Sequence, residues 1–185
     1  MSKQLLTKIK AFAIYQIIGG LVGIGLTFYL FNLEKPVSLL LPLIFLFIFG
    51  LYGYSVYCGI ILFKDVKKGL RHSKLNQLLQ IIAFWGFGYA YQYLSGVYLL
   101  IGVDLTQSLT FNFNFGISSS WKIGINTNDP TLLLNVNVVA IFLVVFIDKV
   151  QRKLKNLDLE QQLTFEDGKS SVEIPDVQVS DTVEA

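Results

Sequence analysis

Apolar residues fall into four long blocks, about residues 11–31, 37–63, 75–103 and 131–147, and no Asp, Glu, His, Lys or Arg lies inside any of them. About 20 apolar residues in a helix cross a hydrocarbon core of ~30 Å. Backbone polar groups in lipid must be satisfied within the spanning segment, which selects helix. The pattern therefore predicts an all-α membrane protein, a bundle of four transmembrane helices. Glycines punctuate the first block at Gly19, Gly20, Gly23 and Gly25. Small residues in a span let a neighbouring backbone approach, so intrachain packing is expected there. The second block carries its own small-residue stripe, Gly50, Gly53, Ser55 and Gly59, and Pro42 near its start.

A second period appears between the third and fourth blocks. Phe111-Asn112-Phe113-Asn114-Phe115-Gly116-Ile117 alternates strictly, and so does Trp121-Lys122-Ile123-Gly124-Ile125-Asn126 after three serines. Period-2 alternation around a short polar turn predicts a β-hairpin over about residues 109–126, in the outer loop between helices three and four. Its apolar face carries Phe111, Phe113, Phe115, Trp121, Ile123 and Ile125. An isolated hairpin is barely stable in water, so that face needs a cover and is the candidate interaction surface. Asn128-Asp129-Pro130-Thr131 then reads as the start of helix four.

Charge sets an orientation on this layout. The N-terminus, the second connection (Lys64–Lys74) and the exit of the fourth block hold twelve Lys/Arg, whereas the other two connections hold only Lys35 and Lys122. Short basic loops stay cytoplasmic, so both termini are expected on the cytoplasmic side of a bacterial inner membrane. Residues 1–157 form the expected transmembrane domain. Residues 158–185 are acidic and too polar to build a core, which predicts a disordered cytoplasmic tail.

Chemistry is sparse within the blocks. Cys58 is the only cysteine, so no disulfide within the chain and no cysteine metal site can form. No paired carboxylates, clustered histidines or activated nucleophile occur there, and no cofactor, metal or nucleic acid is expected. The third block is the most polar. Helical spacing places Tyr89, Gln92 and Gly96 on one face, and a mid-span glutamine must be paired or line a polar path.

The stretch Gly59–Gln80, with Lys-Asp-Val-Lys-Lys-Gly-Leu at its centre and Asn-Gln-Leu-Leu-Gln at its end, resembles the middle loop of small, uncharacterised four-helix bacterial membrane proteins. The resemblance implies that architecture and carries no activity or site residues. The reading is a non-enzymatic membrane protein, an interaction or accessory subunit of an inner-membrane assembly that uses its outer aromatic hairpin. The lipid bilayer, another membrane or periplasmic protein, and a second copy of the chain are the expected partners. The alternative is a small oligomeric transporter or channel with a polar path along helix three.

Overall fold

The computed structural model describes residues 3–33, 40–126, 128 and 130–170. The first two apolar blocks are helices, α1 (Lys3–Leu33) and α2 (Leu40–Lys64), packed side by side. Both are long and apolar enough to cross a membrane. Gly20 and Gly23 make the close approach possible. A Cβ on Gly20 would lie 2.8 Å from the Tyr52 carbonyl oxygen, and one on Gly23 would enter the Tyr52 ring. Pro42 sits in the first turn of α2, where its missing N–H has no helical partner to lose.

Asp65 alone separates α2 from α3 (Val66–Leu78), and its carboxylate caps α3 by accepting from the Lys68 N–H at 2.9 Å. Helix α3 folds back along α2. Gly69 permits this, since a Cβ there would meet the Leu62 backbone at 2.5 Å. Ile9, Phe12 and Ala13 of α1, Leu62 of α2 and Leu70 of α3 form a core with Ile147 and Val150 of α4 (Val138–Ser170). All twelve clustered basic residues flank this core, so that end of the molecule is strongly positive.

The third and fourth blocks are not spans, and the four-helix bundle is overturned. Residues 75–103 contain the end of α3 and then strands β1 (Ile82–Gly86), β2 (Tyr89–Leu94) and β3 (Val97–Asp104). Residues 131–147 contain β6 (Leu133–Asn137) and only the start of α4. With β4 (Thr110–Ile117) and β5 (Ser120–Ile125) they build a six-stranded antiparallel sheet, in the order β4-β3-β6-β1-β2-β5. Strand alternation gives the physical reason. Each of these segments has one wholly apolar face, while its other face is filled by small or neutral residues such as Ala83, Ala90, Gly102, Asn135 and Asn137. Such strands reach span-like hydropathy without helical periodicity.

The expected hairpin strands exist, but they do not pair with each other. β4 pairs with β3 and β5 with β2. Leu94 faces Ser120 and Val97 faces Ile117, so Ser95-Gly96 lies opposite Ser118-Ser119. Strands β2–β3 and β4–β5 are thus one long ribbon, folded at those four residues. β1 pairs with β2, β6 with β3, and β1 with β6, so the sheet curls upon itself. Its inner face buries Ala83, Leu94 and Leu100 together, along with Asn135 and Asn137. A two-residue turn joins β1 to β2, with Phe87 at φ 56° and Gly88 at φ 82°, the positive pair that a type I′ hairpin needs.

Helix four starts at Val138 rather than near Thr131. The Asn137 carboxamide oxygen caps it, accepting from Ala140 N–H at 3.5 Å. The helix runs through 158–170, the first part of the expected acidic tail. Residues 171–185, Asp129 and the expected outer connection at 34–36 lie outside the described residues.

Candidate functional site

A buried polar centre joins the helices to the sheet. Gln16 of α1 accepts from the Ser73 hydroxyl of α3 at 2.9 Å, and its backbone carbonyl accepts from Ser55 of α2 at 3.1 Å. Asn76 Nδ2 donates to Ser55 Oγ at 3.2 Å, and the Ser55 and Ser95 hydroxyls lie 3.1 Å apart. Gln80 Oε1 accepts from Ser95 N–H at 2.8 Å, and Tyr93 Oη donates to the Leu51 carbonyl at 2.9 Å. All of these side chains are buried. Burial, with the nearby Tyr52 ring adding to it, pushes the Tyr93 phenol well above its ordinary range, so it stays a neutral donor. The centre therefore consists of neutral donors and acceptors. It has no group to exchange a proton near neutral pH, and its chemistry is positional: each bond fixes the depth of one element against another.

Outside this centre the molecule presents apolar surface. The bare side of α1 carries Ile14, Ile18, Leu21 and Val22, all about half exposed. Ile18 and Val22 share a shallow groove of about 160 Å³ with Val97 and Ile117. From Ile117 the apolar face continues along β4 through Phe115, Phe113 and Phe111, which are 57%, 69% and 87% exposed. The bare face of α1 and the phenylalanine face of the sheet are thus one continuous surface. β4 is also an edge strand, pairing only with β3 among the described residues. A second apolar groove, of about 600 Å³, opens at the far end of the sheet between Trp85, Phe87, Leu105 and Leu132.

The residues expected on the covered hairpin face separate into two groups. Phe111, Phe113 and Phe115 are exposed, whereas Trp121 and Ile123 pack against Ile48, Tyr52 and Tyr93. Ile125 is about half exposed at the end of β5. The fold at Ser118-Ser119 is the cause, because it turns β4 away from the helices while β5 stays on them.

The expected polar face of Tyr89, Gln92 and Gly96 does not form. Strand period places Tyr89 on the outer face and Gln92 on the inner one, where Gln92 Nε2 donates to Ser120 Oγ at 3.1 Å. Gly96, at φ +94°, is in the sheet corner against Tyr15. The buried polar residues that do converge are Gln16, Ser55, Ser73, Asn76, Gln80, Tyr93 and Ser95. Their visible signal was Gln16, the one carboxamide within the first apolar block, and the run Asn76-Gln77…Gln80.

Among the described residues, no three or more His, Cys, Asp or Glu groups are placed to hold a metal ion. Comparison of the chain with family models, with curated proteins and with solved structures gave no match.

Proposed function

We propose that this chain is a non-enzymatic, membrane-seated interaction protein that joins a partner chain along the β4 edge. The α1–α2 pair is the membrane element, crossing twice with both chain ends on the basic side. That side faces the cytoplasm of a bacterial cell, because basic flanks are retained there. The observation that carries the reading is the exposure of Phe111, Phe113, Phe115 and Ile117 on an edge that, among the described residues, pairs only with β3, continuous with the exposed side of α1. An open strand edge against hydrocarbon leaves N–H and C=O groups unsatisfied, each at a cost of several kcal/mol. A strand from another chain pairs those groups and sets its own apolar side chains beside the phenylalanine row. A second copy of the chain, or another membrane protein with a free strand, meets that need.

A photo-crosslinking residue placed at Phe113, and separately at Phe142 on α4, tests the reading in native membranes. Phe142 is also 69% exposed, so it controls for exposure alone. A discrete adduct from position 113 and none from 142 is the expected result. Equal adducts from both positions, or none from 113, refute it.

A further inference from the structure

Helices α3 and α4 run antiparallel and leave a groove of about 550 Å³ between them. Four cations rim it, Lys67, Arg71, Lys74 and Lys155, with Gln151 and one carboxylate, Asp158, beside them. Two of the cations hold the helices together: Lys67 pairs with Asp158 at 2.5 Å and Lys74 with Asp148 at 2.7 Å. Arg71 and Lys155 stand in neither pair and face the same space. The floor is apolar, made by Leu70 and Leu154.

We propose that this groove binds a phosphate group of net negative charge, one not neutralised by a cation of its own ligand, held by Arg71 and Lys155. A guanidinium presents two parallel N–H donors that match two phosphate oxygens, and an ammonium adds a point charge without fixing direction. The apolar floor suits a ligand that carries hydrocarbon next to its phosphate. The groove opens beside the Leu70–Ile147 core, at the basic end of α1 and α2. That is the depth at which headgroups stand if the two helices cross a bilayer. The same chemistry is offered by a phospholipid headgroup and by a free phosphate. The inference does not depend on the β4 edge.

Calorimetric titration of the full chain in a neutral detergent tests it with three probes: dihexanoyl phosphatidylglycerol, dihexanoyl phosphatidylcholine and inorganic phosphate. Saturable binding of the phosphatidylglycerol or of phosphate is expected. Arg71→Gln with Lys155→Gln should weaken it by at least about tenfold. Lys68→Gln with Lys153→Gln removes the same charge from outside the groove and should leave affinity within about twofold. Phosphatidylglycerol binding without phosphate binding assigns a lipid site, and binding of both assigns a general phosphate site. Equal loss in the two double variants would reduce the effect to diffuse charge and overturn the proposal. So would absence of binding by both anionic probes, or binding of phosphatidylcholine as tight as that of phosphatidylglycerol.

Discussion

The Tyr15 phenol straddles Gly96: it approaches the carbonyls on either side, Ser95 at 3.2 Å and Val97 at 3.1 Å, and its ring occupies the space a Gly96 side chain would need, 2.8 Å from an ideal Cβ. One aromatic side chain of α1 thereby fixes the fold point of the β-ribbon. Gly96→Ala meets both that ring and a strained φ of +94°. Together these should cost roughly 2–4 kcal/mol, from left-handed backbone strain and overpacking. Tyr15→Phe removes only the hydrogen bonding, about 0.5–1.5 kcal/mol. Chemical unfolding in detergent should rank Gly96→Ala below Tyr15→Phe, and the reverse order would show that the corner is not set by this contact.

The glycines of α1 give a matched pair. A Cβ on Gly23 would sit 2.1 Å from the Tyr52 ring, whereas nothing lies within 4 Å of one on Gly25. Gly25→Ala should stabilise the chain by about 0.5–1 kcal/mol through helix propensity. Gly23→Ala should destabilise it by about 1–3 kcal/mol through overpacking. Thermal shifts of opposite sign check this.

Phe113 and Ile123 lie on the same apolar face of the ribbon but in different surroundings. Ile123 packs in the Tyr52–Tyr93 cluster, and Phe113 is 69% exposed. Ile123→Asp forces a charge into apolar contact and should cost about 3 kcal/mol. Phe113→Asp should change the stability of the isolated chain by no more than about 0.5 kcal/mol. This departs from the alternation pattern alone, under which every apolar residue of the hairpin would be covered. Equal losses for the two variants would mean that β4 is buried after all.

The buried phenol of Tyr93 sets an alkaline limit. Burial raises its folded pKa above the ordinary value of 10.0, so the folded chain keeps a proton that the unfolded chain releases. The associated stability is fully present below about pH 10 and is lost as pH rises towards the folded value. Tyr91, raised by burial as well, acts in the same direction. Unfolding free energy measured from about pH 8 to about pH 11 should fall only above about pH 10, and Tyr93→Phe should flatten that fall.

The first two helices were legible in the sequence, whereas α3, which was expected as the basic Lys64–Lys74 connection, the start of α4 and the sheet were not. Blocks of apolar residues without charge are sufficient evidence for α1 and α2, because length and composition are the whole requirement for such helices. The same measure failed at residues 75–103. There Tyr89, Tyr91 and Tyr93 alternate with Ala90 and Gln92, and Phe87-Gly88 and Ser95-Gly96 mark turns. Residues 133–138 behave alike, with Asn135 and Asn137 between Leu134, Val136 and Val138. Those are strand signals, but total hydropathy masked them because the inner face is apolar or neutral too. The outer apolar residues of β4 were legible one by one, whereas their exposure depended on where the ribbon folds. The polar centre was legible only in part. Asn76 and Gln80 stood out, but Ser55 and Ser95 are forty positions apart and nothing local couples them.

The Ser119 hydroxyl donates to the Gly19 carbonyl at 2.6 Å across a sequence separation of 100 residues. Chains leave the ribosome at about 5–20 residues per second, so α1 is made roughly 5–20 s before the residue that finishes its packing. Until the end of that interval Gly19 and the apolar flank of α1 lack the β4–β5 corner that completes their packing. The nascent helical pair must be sheltered by lipid or by a holding factor until the ribbon arrives. Slow translation between Leu94 and Ser119 would lengthen that exposure, so the yield of folded protein should depend on the speed at which this stretch is synthesised.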